Sequence, residues 1–218
     1  MHSVLRPCIL MVSVAVTATA LASTPSVDSA TALQRLAEGN QRFVSGKLAA
    51  PRRDPAHREQ LAKGQHPFAV VLTCADSRLA PEIYFDQGLG DLFVLRNAGN
   101  VVDDHVLGSI EYAVEHLGAR LILVVGHSKC GAVAATVAGG EVPGHIGSIV
   151  RSIAPSVGAA ADATDKVDAV VRANARHMAE QIAASGPILS EAVRHGALRV
   201  VAARYDLATG EVQLLDNH

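Results

Sequence analysis

An unbroken apolar run, Leu-Ile-Leu-Val-Val at 121–125, constrains the fold more than any other stretch of the chain. A strand with one wet face alternates polar and apolar residues. A run without polar interruption reads instead as a strand covered on both faces, as in a parallel sheet between helical layers. Residues 67–73 show the same pattern, and 91–95 repeat it more briefly. Between 91–95 and 121–125, a helix is expected over 103–117. It sets Leu107, Ile110, Val114 and Leu117 on one face, and Gly118 stops it.

Further helices are expected over 28–46, capped by Asp28 or Ser29, and, after a polar Pro-rich connection at 50–55, over a short stretch ending at Gly64. Ala-rich helical stretches follow at 131–138, 146–160 and 166–184, with a shorter one at 187–195. Apolar runs at 198–205 and 211–215 flank Leu207-Ala208-Thr209-Gly210, which predicts a terminal hairpin. The expected fold is α/β, a mainly parallel sheet flanked by helices with a C-terminal hairpin. Only 3% of the 218 residues are aromatic and none is Trp, so the core must be aliphatic. With 19 basic against 21 acidic side chains, no basic run and no nucleic-acid-binding signature, nucleic acid is excluded as a partner.

The N-terminus reads as a leader. Arg6 precedes a weakly apolar stretch over 8–21, and Ala20-Leu21-Ala22 has the small–x–small pattern of a signal-peptidase site. The stretch is shorter than the ~20 residues of a spanning helix. The expectation is a signal peptide over 1–22 cleaved after Ala22, and a single mature domain over 23–218. That domain would be periplasmic or secreted, without stable membrane insertion; an uncleaved anchor is the alternative. Cleavage leaves two cysteines, Cys74 and Cys130, in a compartment where a disulfide between them is one reading.

Two short segments each follow an expected parallel strand: Cys74-Ala75-Asp76-Ser77-Arg78 and Gly126-His127-Ser128-Lys129-Cys130-Gly131. Ligands in open α/β sheets collect beyond the carboxyl ends of strands. Two such loops meeting there would bring together two thiols, an imidazole, a carboxylate and a guanidinium. Thiolate and imidazole are preferred zinc ligands, and two Cys with one His leave a fourth position for water or for Asp76. Either segment alone is weak evidence; both together use every cysteine of the mature chain.

The paired segments resemble the signatures of the β-class carbonic anhydrases, Cys-x-Asp-Ser-Arg and His-x-x-Cys-Gly. The similarity extends through Arg96-Asn97-Ala98-Gly99-Asn100 and Ile110-Glu111-Tyr112-Ala113, over about 65–140. The resemblance implies one Zn²⁺ per chain on Cys74, His127 and Cys130, and an Asp76–Arg78 dyad. It also implies a closed state in which Asp76 becomes the fourth ligand, and reversible hydration of CO₂ to bicarbonate. Gln65 and Tyr112 match positions that contact substrate in plant-like members. The position of the family's usual active-site Phe falls near His105, a departure that leaves one pocket wall undefined. Some bacterial members carry a Trp three residues before the first cysteine ligand, within an inhibitory bicarbonate site; here that position is Val71. A homodimer or dimer of dimers is implied, with the 28–44 helix embracing the partner and the active site near the interface. Thiolate-rich coordination predicts activity rising on the alkaline side of neutrality. Two alternatives share the zinc set: a same-fold hydrolase of COS or CS₂, and a non-catalytic zinc scaffold.

Overall fold

The computed structural model describes residues 27–215, so the leader read over 1–22 lies outside the described residues. A five-stranded sheet runs in the order β2-β1-β3-β4-β5. Its strands are β1 (Ala69–Cys74), β2 (Leu92–Asn97), β3 (Leu121–His127), β4 (Arg199–Tyr205) and β5 (Val212–Leu215). β2, β1, β3 and β4 are mutually parallel, and only the β4–β5 hairpin is antiparallel. The expected α/β architecture is the one observed.

Every residue of β1 and β3 is buried, which is why these strands read as continuous apolar runs. Side chains such as Val70, Leu72, Ile122 and Leu123 have no solvent exposure, and each such burial contributes about 1.5–3 kcal/mol. β2 differs from the expectation of a buried strand. It stands at the sheet edge, paired on one side only, and its residues are half-buried or exposed.

Helices α1 (Ser29–Val44), α2 (Pro55–Leu61), α3 (Pro81–Tyr84), α4 (Asp104–Glu115), α5 (Gly131–Ala138), α6 (Ile146–Ile153), α7 (Lys166–Ala184) and α8 (Ile188–Arg194) connect and cover the strands. Asp28 caps α1, its carboxylate accepting from the N–H groups of Ala30 and Thr31. Asp103 caps α4 in the same way, accepting from Val106. The single helix expected over 146–160 is broken. α6 stops at Ile153, and two 3₁₀ turns follow, Ala154–Ser156 and Gly158–Ala160. Pro155 has no N–H to continue the ladder. The four-residue α3 was too short for periodicity to announce it.

The strand order fixes where a site can form. From β1 the chain crosses to β2 on one side and then to β3 on the other. The carboxyl ends of β1 and β3 therefore flank a topological switch point, where two connections diverge and leave a crevice. Thr73 pairs with Val125, so Cys74 and His127 emerge beside each other at that edge.

Candidate metal centre

Three side chains converge at the crevice. Cys74 ends β1, His127 ends β3, and Cys130 sits just ahead of α5 as its N-cap residue. Their ligand-type atoms all lie within 4.8 Å of one another, and all three residues are buried. Both cysteines are free thiols, so the disulfide reading fails. A tetrahedral ion at ~2.0–2.3 Å from each donor spaces its ligands by roughly 3.5–4 Å. The trio matches that scale.

The imidazole is prepared for a metal. His127 Nδ1 lies 3.0 Å from the Ser128 carbonyl oxygen, which can only accept, so the proton belongs on Nδ1. That leaves the lone pair of the neutral ring on Nε2, a fully buried atom with no hydrogen-bond partner. A buried polar atom without a partner is costly. A cation among these donors would satisfy it.

The thiols point the same way. The Cys130 thiol hydrogen-bonds Cys74 and favours its thiolate, holding its pKa well below the usual thiol range. That neighbouring thiolate, together with burial, pushes Cys130 far up. The pair on its own thus gives up one proton easily and the second only with difficulty; a divalent cation would release both. The backbone N–H of Gly99 also donates to Cys74 Sγ at 3.3 Å.

Asp76 and Arg78 form the expected dyad. Arg78 Nε and Nη2 donate to the two carboxylate oxygens at 2.8 and 2.6 Å, and the Arg78 backbone N–H adds a third bond at 3.0 Å. These bonds hold the Asp76 carboxyl well below the usual carboxylate range. Asp76 Oδ2 stands 3.9 Å from His127 Nε2, beside the donors while committed to Arg78. Arg96, on the neighbouring edge strand, donates to the backbone carbonyls of Cys74 and Asp76 and so fixes the loop that carries both.

Two of the five described non-glycine residues with positive φ lie here; the other three, Ala50, Arg52 and Asp86, lie elsewhere. Lys129, between two donors, has φ +56°, and Asn100 has φ +44°. A residue with a Cβ rarely adopts this region, and such strain clusters at functional sites. Gly99 needs its glycine twice over: φ is +77°, and an added Cβ would stand 2.7 Å from Ile153 Cδ1.

The remaining residues singled out in the sequence lie apart. Gln65 is exposed ahead of β1. Tyr112 is 48% exposed on α4, with its ring 6.5 Å from Phe93 and 5.1 Å from His116. The bonds of Asp76, Cys74 and His127 go instead to Arg78, Gly99 and Ser128. His105 is exposed in the first turn of α4. Arg96 and Gly99 drew attention only as part of a similar stretch; their bonds to the Cys74 loop come from β2 lying beside β1, which spacing alone does not reveal.

The carbonic anhydrase family model matches residues 69–212. The chain belongs to the β-carbonic anhydrase family. Zinc-dependent, reversible hydration of CO₂ to bicarbonate is the reaction of this lyase family. Carbonic anhydrase 2 of Mycobacterium tuberculosis is 44% identical over 200 residues, spanning 88% of this chain and 96% of that protein. Among solved structures, a tetrameric β-carbonic anhydrase of Sordaria macrospora superposes with a TM-score of 0.68 at 26% identity, covering 82% of this chain and 93% of the other. The Coccomyxa β-carbonic anhydrase in complex with acetazolamide gives 0.67 at 28%, covering 84% and 86%. The buried β1 and β3 of this β-carbonic anhydrase, and the loops that follow them, all lie within the matched span.

Proposed function

We propose that Cys74, His127 and Cys130 hold one zinc ion and that Asp76 and Arg78 work beside it in the hydration of CO₂. The observation that carries this reading is the buried, unpartnered His127 Nε2 facing two free thiols, next to a carboxylate locked to an arginine. Zinc, when bound, supplies the Lewis acidity that makes water a nucleophile near neutral pH.

The protein's own groups do the rest. The Ser128 carbonyl fixes the His127 tautomer and ring orientation. Two thiolates offset the ion's charge, so they temper its acidity and favour a rate that rises above neutrality. Arg78 keeps Asp76 ionised and engaged, leaving a fourth position free. Asp76, still an acceptor, can take a hydrogen bond from the attacking water and direct its lone pair at CO₂. For Asp76 to become the fourth ligand instead, its pair with Arg78 would first have to break.

Gln65 and Tyr112 complete the substrate pocket on this reading, with a second copy of the chain covering the β2 edge. The half-exposed β2 and the half-buried Phe93 with exposed Tyr112 and His116 beside it support a homodimer there. Ultracentrifugation of Phe93→Asp should show monomer where the parent chain sediments as dimer or larger; an unchanged mass argues against this surface. Residues 1–22 serve as a leader that delivers a 23–218 domain to the periplasm or exterior. No described helix is long and apolar enough to cross a membrane. N-terminal sequencing of exported protein should begin at Ser23, and an intact Met1 terminus would contradict the leader.

Stopped-flow CO₂ hydration by the zinc-loaded chain, wild type beside Cys130→Ala, tests the function. Turnover by the wild type should fall in the variant by more than the ~10–100-fold that loss of a metal ligand's outer partner costs. Zinc without turnover would favour a scaffold. Turnover of COS or CS₂ without CO₂ would favour the same-fold hydrolase.

A further inference from the structure

Asn174 is the one polar side chain among the buried residues in the middle of α7. It is 1% exposed, and its buried neighbours on the helix are Val170, Val171, Ala175 and Met178. Its Nδ2 donates to the Gly99 carbonyl at 3.0 Å, while its Oδ1 has no partner. A buried amide half satisfied is a poor device for holding a helix against a sheet; an apolar residue of similar size packs there without leaving an acceptor unmet. The position therefore calls for another reason.

The backbone of Gly99 supplies it. Gly99 accepts from Asn174 through its carbonyl and donates through its N–H to Cys74 Sγ at 3.3 Å. Its left-handed backbone lets the residue reach both partners at once, and the packing of Ile153 and Ala132 allows no larger residue in its place. A line of two hydrogen bonds runs from the helix, through one glycine, to a sulfur of the donor trio. The rest of α7 backs the same region. Met178 Sδ accepts from the Val102 N–H at 3.2 Å, and Val171 and Ala175 pack so closely on Gly126 that a Cβ there would meet Val171 Cγ1 at 2.9 Å.

We infer that Asn174 is a positioning residue for the Cys74 thiolate, acting through the backbone of Gly99. This rests on the reading of Cys74 as a zinc ligand. An N–H donated to a metal-binding thiolate orients the sulfur and draws charge from it, and an outer partner of this kind changes metal affinity by ~10–100-fold when lost. Asn174 fixes the direction of that N–H by gripping the other face of the same residue. Without the grip, Gly99, which has no side chain to hold its dihedrals, is free to turn its N–H away.

The test uses the full mature chain with Asn174→Leu and Asn174→Asp, the second nearly isosteric in case the first does not fold. Ile182→Val on the same helix is the control for a structural change alone. Three quantities are read: Zn²⁺ affinity by chelator competition, the thiolate-to-metal charge-transfer band of the Co²⁺-loaded protein, and hydrogen exchange of the Gly99 amide. Either Asn174 variant should weaken Zn²⁺ binding about tenfold, shift the Co²⁺ band and speed Gly99 exchange, while the control moves none of these. Affinity, band and exchange all matching wild type in a folded Asn174 variant would overturn the inference, as would equal shifts in the control. If the wild type itself shows no thiolate–Co²⁺ band, the metal-site reading fails, which is a separate outcome.

Discussion

Two ion-paired carboxylates sit at the same edge of the sheet and serve opposite ends. Asp168 on α7 accepts from Arg172 Nε and Arg204 Nε at 2.9 and 2.6 Å, and Arg204 also pairs with Asp206 at 3.0 Å. That cluster closes on itself, each charge meeting its opposite, and it pins α7 to β4. Asp76 is paired as firmly with Arg78, yet its surroundings do not close. His127 Nε2, 3.9 Å away, has no partner, and two free thiols share the space. A satisfied cluster holds structure together. A cluster with a buried imidazole nitrogen left unpartnered beside two free thiols has donors to offer a ligand.

If that contrast is right, disturbing the two arginines should have different consequences. Arg78→Ala frees Asp76 to approach the metal and should lower CO₂ hydration about 10–100-fold, with zinc retained at one per chain. The same variant has an acid signature. Pairing depresses the folded pKa of Asp76, so its stabilisation is present above the unfolded value of ~3.9 and is lost as pH falls through the folded value. Any stability difference between the metal-free wild type and Arg78→Ala should therefore shrink as pH drops below about 4. A difference independent of pH would deny the pairing its role.

Arg204→Met should do the reverse. It removes charge-assisted bonds at a partly buried cluster, costing about 1.5 kcal/mol of stability after allowance for solvent. The hydration rate per bound zinc should stay near wild type. Loss of turnover with unchanged denaturant midpoint would erase the distinction between the clusters. The smallest effect is expected from Lys129→Gly. It relieves the left-handed backbone between two donors and should change stability by under about 1 kcal/mol, with zinc content unaltered. Marked destabilisation would mean that the lysine side chain, not the loop conformation, matters there.

Much of this molecule was legible in the sequence for a physical reason. β1 and β3 are covered on both faces, so their burial is written as unbroken apolar runs, and the loops of the candidate metal site follow directly in Cys74-x-Asp76-x-Arg78 and His127-x-x-Cys130. β2 was less legible because a strand edge is set by which strand lies beside it, and helix 146–160 because Pro155 interrupts a pattern that composition continues. Asn174 went unread because one amide among apolar helix residues carries no spacing signal; only the fold brings it, from 75 residues away in sequence, to the Gly99 carbonyl.

X-ray absorption at the zinc edge of the metal-loaded wild-type chain probes the centre most directly. Two sulfur neighbours at ~2.3 Å with one imidazole nitrogen and one oxygen at ~2.0–2.1 Å are predicted. A shell of four protein sulfur and nitrogen ligands, or one without sulfur, would contradict an open site built on Cys74, His127 and Cys130.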